Sequence, residues 1–267
     1  MPLVPMKQIL DEAVKGGYGV GAYNVNNMEQ LQGIMKAASE TKSPVIIQAS
    51  RGALAYTNMY YIKYMVQAAV EDNPDIPMSL HLDHGNSLET CKQAIELGFT
   101  SVMIDGSLKE DSKTPTNFEE NVAITREVVE YAHKRGVSVE GELGTLGGIE
   151  DGVGSGKVML TDPEEAVKFI ELTGLDALAL AIGTSHGAYK FKAEPKLELD
   201  IINAIQEKIP GMPLVMHGSS SVPAELIDII NQYGGKLEKT MGVPMESIQE
   251  AIKRGIRKIN VDTDGRL

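Results

Sequence analysis

Eight short strand-like runs alternate with amphipathic helical segments along the 267 residues, and this alternation narrows the fold more than any other feature of the chain. The runs lie at 19–24, 44–49, 77–83, 100–105, 137–142, 176–182, 213–217 and 258–262. Helical stretches open near Met28, Asn58, Ser87, Phe118, Pro163, Lys196, Pro223 and Pro244. Thr116 with Glu119 reads as a capping box, and Pro163 after Asp162 stands at a first helical position. The pattern predicts an α/β fold, a (β/α)8 barrel of the TIM type spanning residues 1–267 as one domain. A doubly wound sheet also alternates strand and helix. Here no GxGxxG follows the first strand, and polar residues end many strands rather than cluster at one switch point. Five residues follow the eighth strand, so the sequence predicts a barrel truncated there, without its final helix. Ile259 and Val261, on the outer face of that strand, are then expected to lack a covering helix.

Composition excludes several classes of function. The net charge of −12, with no block of basic residues, argues against a nucleic-acid partner. No apolar run approaches the roughly 20 residues a membrane span requires, and Lys7, Asp11 and Glu12 interrupt the first apolar stretch too early for a secretory signal. The single cysteine, Cys91, permits no internal disulfide framework and fits a cytoplasmic location.

Three of the five histidines end three different strands: His84 in SLHLDHG, His186 in LAIGTSHG and His217 in PLVMHGSS. A parallel barrel gathers strand C-terminal ends on one rim, so these imidazoles converge there and read as three neutral ligands of one divalent ion with a position left open. Asp105 and Glu142 also end strands. They either form a second, looser metal position or accept hydrogen bonds from the ligating rings. His133 reads as a surface residue at a helix end. His81 and Glu140 read as buried polar partners behind the ligands. Gly218-Ser219-Ser220-Ser221 follows strand 7 and leads into a helix, which suits an anion approached by backbone N–H groups. Gly187 and Lys190 after strand 6, and 260–263 at the end of strand 8, complete a candidate phosphate pocket.

These motifs resemble those of the class II, metal-dependent fructose-1,6-bisphosphate aldolases over the whole chain and in order. The resemblance runs from GVGAYN at 19–24 through QAS at 48–50, LDHG at 82–85, MID at 103–105, ELG at 142–144, GTSHG at 183–187 and HGSSS at 217–221 to NVDT at 260–263. It implies that His84, His186 and His217 hold a catalytic Zn2+, with Asp105 and Glu142 at a second or alternative site. A second divalent or a monovalent cation has room in that scheme. The resemblance makes Asp83 the general acid and Glu150, in the loop after strand 5, the group that moves the α-proton. It assigns substrate contacts to Asn24, Ser50, Gly187, Lys190, Gly218, Ser219, Ser220, Asn260, Val261, Asp262 and Thr263. Arg266 resembles an arginine that reaches the distal phosphate in a neighbouring subunit, which implies a homo-oligomer, a dimer or larger.

The implied reaction is reversible cleavage of fructose 1,6-bisphosphate to dihydroxyacetone phosphate and glyceraldehyde 3-phosphate, a carbon–carbon lyase step of glycolysis and gluconeogenesis. A metal on the ketone stabilises the carbanion as an enediolate. A lysine imine is the rival chemistry. Residues 176–186 contain no lysine, and Lys258 opens strand 8 at the wrong end of the barrel. Tagatose-1,6-bisphosphate aldolase is the near alternative, with Asp262, by the same resemblance, favouring fructose. A metal-dependent hydrolase, or a truncated chain that binds metal and sugar phosphate without turnover, are further alternatives. The loop at 106–117 is polar and is expected to be solvated and mobile, without a catalytic role.

Overall fold

The computed structural model describes residues 3–148, 158–187, 191, 195–238 and 240–267. Eight strands close into a parallel barrel in sequence order: β1 (Val20–Asn24), β2 (Val45–Ser50), β3 (Met78–Gly85), β4 (Ser101–Ile104), β5 (Ser138–Leu143), β6 (Ala177–Leu180), β7 (Leu214–Met216) and β8 (Ile256–Val261). The ring closes where β1 pairs with β8, Val20 opposite Lys258 and Ala22 opposite Asn260. The predicted (β/α)8 barrel is therefore the fold, with each strand run within a few residues of its expected place.

Alternation along the strands sorts the core into two parts. Outward residues such as Ile47, Leu80, Leu82, Val139, Leu178 and Leu214 pack under the helices in one continuous cluster. Those helices are α2 (Met28–Thr41), α3 (Arg51–Thr57), α4 (Met59–Asp72), α5 (Leu88–Leu97), α6 (Phe118–His133), α7 (Pro163–Thr173), α8 (Asp200–Lys208), α9 (Ala224–Gln232) and α10 (Met245–Arg254). Inward residues near the strand starts, Val20, Ala22, Ile46, Ala177 and Val215, pack instead on α1 (Met6–Gly16), which closes the lower mouth. Val4 N–H donates to the Met78 carbonyl at 2.9 Å, and Lys7 N–H to Ser138 Oγ at 3.0 Å, fixing that plug. Burying Met6, Ile9 and Leu10 contributes roughly 1.5–3 kcal/mol each. The sequence reading passed over α1, although Met6, Ile9, Leu10 and Ala13 carry the one-face spacing of an amphipathic helix.

Two further expectations are corrected, and a third is refined. The capping box of α6 belongs to Asn117 and Glu120, one residue on from Thr116 and Glu119. Thr116 spends its hydroxyl on the Gly106 carbonyl instead, which leaves Asn117 as the residue beside the free N–H groups. Residues 106–117 are exposed at 109–111 and 113–115, as their polarity suggests, and are in addition a hydrogen-bonded loop. Asp111 accepts from the N–H groups of Lys113 and Thr114 and from the Thr114 hydroxyl, while Leu108 and Ser112 are buried. Ile259 does not face solvent, because it is buried near Ile252 of α10 beside Gly19. After β8 the chain turns once more as α11 (Thr263–Arg266).

Replacing the Asn117 cap tests the corrected start of α6. Asn117→Ala is expected to lower the unfolding free energy by about 1 kcal/mol in denaturant titration, and Glu119→Ala by much less.

Candidate metal centre and active site

Inside the upper half of the barrel the inward residues are polar. β2 supplies Gln48 and Ser50, β3 His81 and Asp83, β5 Glu140 and Glu142, and β8 Lys258 and Asn260, all buried. Strict alternation would turn His84 outward if Asp83 faces in. The backbone of His84 has φ 51°, in the left-handed region, and the β3–β4 register shifts between Leu82 and Gly85. This bulge lets consecutive residues serve one site, a local strain of the kind that collects at functional positions. Gly85 is required there, since a Cβ would lie 2.6 Å from the Met103 carbonyl oxygen.

The three predicted imidazoles do converge. His84 stands edge-on to His186 and His217 with ring centroids 5.0 and 4.8 Å away, and His186 and His217 are 5.9 Å apart. One nitrogen from each lies within 4.8 Å of the others. His84 Nδ1 is 3.0 Å from Asp105 Oδ2, and His217 Nε2 is 2.8 Å from Glu140 Oε1. Those contacts place a proton on each of the two outer nitrogens. The inner ones, His84 Nε2 and His217 Nδ1, then present lone pairs 3.1 Å apart. Two facing lone pairs repel unless a cation lies between them. A proton could serve two nitrogens, but the third, on His186, makes the set suited to a metal ion.

The surrounding carboxylates favour a positive charge at this point. Burial opposes charge on His84, but Asp83, Asp105 and Glu142 around it outweigh burial and push its pKa up to about 10. Burial, reinforced by repulsion from His84 and Lys258, holds His217 far below the usual imidazole range and so neutral. Burial and then the neighbouring Asp105 raise Glu142 well above the ordinary carboxylate range. His84, Asp105 and Glu142 also bring one ligand atom each within 4.8 Å, so the second predicted cluster is assembled beside the first. Asp105 makes the hydrogen bond to His84, one of the two roles left open for it.

Asp83 is held from one side. Asn24 Nδ2 donates to its Oδ2 at 3.0 Å, and Gln48 Nε2 lies 3.3 Å from the same oxygen while donating to Asn24 Oδ1 at 2.6 Å. Oδ1 is buried with no hydrogen-bond partner among the described residues. Burial alone would raise the Asp83 pKa, but His84, His217, Lys258 and the Asn24 bond outweigh it and bring it to about 2. Asn24 thus acts on Asp83 as well as facing the site. Gln48 was not singled out from the sequence as a site residue. Its signal was parity, two residues before Ser50 on the same inward face.

Lys258 is a correction. β8 begins at Ile256, so Lys258 lies within the strand, and its fully buried ammonium is 2.9 Å from Glu140 Oε2. His81 Nε2 approaches the same oxygen at 3.5 Å, and its Nδ1 meets Ser101 Oγ at 2.7 Å. A buried lysine paired with Glu140 beneath the imidazoles is enclosed, and this enclosure excludes an imine role better than its supposed position at the strand foot. Arg51 was also missed. Its guanidinium donates to the His84 carbonyl at 3.2 Å and to Ser112 Oγ at 2.6 Å, tying the 106–117 loop to the strained backbone of His84. A cation opening a helix, where the dipole disfavours it, was the available signal.

At the rim, Ser50 caps α3 by accepting from Ala53 N–H at 3.0 Å. Gly218 has φ 61°, and a Cβ there would lie 2.4 Å from the Ser185 carbonyl oxygen, so only glycine lets the β7 loop lie against the β6 loop. Ser219 N–H donates to the Asn260 carbonyl at 3.1 Å, joining the loops after β7 and β8. Asn260 Nδ2 is 3.1 Å from His217 Nδ1. Thr263 is buried, while Val261 and Gly187 are half-buried at the same rim. Arg266 Nε donates to both Asp262 oxygens, at 2.7 and 2.8 Å, within its own chain. Glu150 and Lys190 lie outside the described residues.

The Lys258–Glu140–His217 chain predicts two separable defects. Glu140→Gln should weaken divalent-metal binding by about 10–100-fold in chelator competition, because the His217 ring loses its charged anchor. Lys258→Met should lower the unfolding free energy by about 3–5 kcal/mol by leaving Glu140 buried without its cation. Parent-like metal affinity in the first and parent-like stability in the second would contradict the linkage.

Comparison with known proteins bears on the same residues. The family model described as fructose-bisphosphate aldolase class-II matches residues 4–267. A fructose-bisphosphate aldolase of Giardia intestinalis is 60% identical over 269 residues, covering 100% of this chain and 80% of that protein. A fructose-bisphosphate aldolase class 2 of Synechocystis is 56% identical over 282 residues, covering 100% of this chain and 79% of that protein. The crystal structure of the YdjI aldolase from Escherichia coli K12 superposes with a TM-score of 0.76 at 30% identity, covering 98% of this chain and 82% of that one. Matched from end to end by the family model and by such relatives, the chain belongs to the class-II fructose-bisphosphate aldolases and is an aldolase, a carbon–carbon lyase.

Proposed function

We propose that this chain cleaves fructose 1,6-bisphosphate reversibly to dihydroxyacetone phosphate and glyceraldehyde 3-phosphate, with one zinc ion held by His84, His186 and His217. The observation that carries the reading is the pair of inward imidazole nitrogens 3.1 Å apart, with a third imidazole beside them and their outer nitrogens engaged by Asp105 and Glu140. When bound there, the ion supplies a Lewis acid that polarises the substrate ketone and spreads the negative charge left by bond breaking.

The side chains provide the rest. Asp83 is ionised at neutral pH, the form needed to accept the C4 hydroxyl proton during cleavage. Asn24 and Gln48 grip its Oδ2, so Oδ1 is the oxygen left for that proton. In condensation the same group returns it. The loop 218–220, with Asn260, Val261, Asp262 and Thr263, receives the phosphate of the dihydroxyacetone half, joined by Gly187 and Lys190. Ser50 contacts the aldehyde half. Glu150 exchanges the α-proton of the ketone product, a role that rests on resemblance. Asp105 and Glu142 give a second divalent or monovalent cation a place next to His84.

Arg266 reaching the distal phosphate of a neighbouring subunit requires its release from Asp262, and would make the active unit a homodimer or larger. No helix among the described residues is long and apolar enough to cross a membrane. The one cysteine, Cys91, is buried, and burial pushes its thiol up to about 12, which suits a reducing cytoplasm without requiring a disulfide. Release of triose phosphates places the enzyme in glycolysis and gluconeogenesis.

Metal content measured alongside fructose-1,6-bisphosphate cleavage tests the proposal. A chelator should abolish turnover and zinc should restore it. Asp83→Ala should keep the metal and lose about 10²–10⁴-fold in kcat, whereas His217→Ala should lose the metal itself. Equal metal content and equal activity in the two variants would refute these roles.

A further inference from the structure

The loop after β7 is anchored by a residue that the mechanism does not use. Asp264, in α11, accepts from Ser221 N–H at 2.7 Å and the Ser221 hydroxyl at 3.0 Å through Oδ2, and from Val222 N–H at 2.8 Å through Oδ1. Its own N–H lies 3.4 Å from Ser220 Oγ. One side chain and its amide therefore fasten Ser220, Ser221 and Val222, directly downstream of Gly218 and Ser219.

What it fastens is a strained path. Val222 has φ 51°, an outlier for a β-branched residue, and is buried. A backbone in that region persists only where its surroundings impose it. On the other side Val243 N–H holds the Ser220 carbonyl at 3.0 Å. Upstream, Ser219 N–H is committed to Asn260. Asp264 and Asn260 thus occupy the N–H groups of Ser219, Ser221 and Val222. Among the described residues the Ser220 N–H has no protein acceptor. The carboxylate fills one half of an anion cradle and shapes the other half.

We infer that Asp264 is a positioning residue that holds the 218–222 loop in the bent form that receives a phosphate monoester. The inference rests on the reading of this loop as the phosphate pocket, and it adds the residue that pre-forms it. Asp264 also brings a negative charge near a dianion, so the two possible effects of removing it have opposite signs. Loss of positioning weakens phosphate binding, while relief of repulsion strengthens it.

The test uses the zinc-loaded enzyme and two competitive ligands that share the ketone and hydroxyl, dihydroxyacetone phosphate and dihydroxyacetone. Their inhibition constants against fructose-1,6-bisphosphate cleavage are measured for the parent, Asp264→Asn and Asp264→Ala. Both variants should weaken dihydroxyacetone phosphate by about tenfold or more, the scale of a hydrogen-bonded charged contact, and leave dihydroxyacetone within about twofold. The near-isosteric Asp264→Asn decides the matter if the alanine chain does not fold. Tighter phosphate binding, unchanged constants, or equal weakening of both ligands would overturn the inference. A parent enzyme with no preference for the phosphorylated ligand would overturn the phosphate reading of the loop, and this inference with it.

Discussion

Parallel closure of the barrel is the constraint on which the site depends. Because every strand runs the same way, residues ending β3 and β7 meet on one rim although 133 positions separate them in sequence. Alternation then divides each strand between the helical layer outside and the barrel interior. The interior is apolar where α1 plugs it and polar above. The chain thereby gives up apolar packing in its upper layers and holds them with ion pairs and hydrogen bonds instead. Such groups favour the fold only when mutually satisfied.

That satisfaction is incomplete in an informative way. Lys258 answers Glu140, Arg51 holds the backbone of His84, and Asn24 and Gln48 hold Asp83. Among the described residues, Asp83 Oδ1, Glu142 Oε2 and Asn260 Oδ1 are buried without a hydrogen-bond partner. Together with the facing ring nitrogens of His84 and His217, they line a cavity suited to a cation and a polar ligand. The strained backbone of His84 belongs to the same account, since it turns the adjacent side chains of Asp83 and His84 into one cavity.

Much of this was legible in the sequence because it follows from period and position. Strand ends carrying His84, His186, His217, Asp105 and Glu142 are visible as residue types at predictable places in a barrel. What stayed hidden depends on three-dimensional contact or on local backbone choice. Nothing in the letters Asp83-His84 announces a left-handed residue, although Gly85 beside them hints at a bulge. The reach of Lys258 to Glu140 could not be read once the start of β8 was placed two residues late. The capping box slipped by one because Thr116 and Asn117 are both suitable caps and only the Gly106 carbonyl decides between them. The 106–117 loop is exposed at 109–111 and 113–115, as its polarity suggests, and what the letters did not show is that its polar groups also bond to one another and, through Ser112, to Arg51.

The central claim is that three imidazoles from three strands share one divalent ion. Anomalous diffraction at the zinc edge, from crystals of the zinc-loaded chain, tests it most directly. The account predicts one dominant peak about 2.0–2.1 Å from His84 Nε2, His217 Nδ1 and a ring nitrogen of His186. A peak held by other residues, or rings splayed apart around no peak at all, would contradict it.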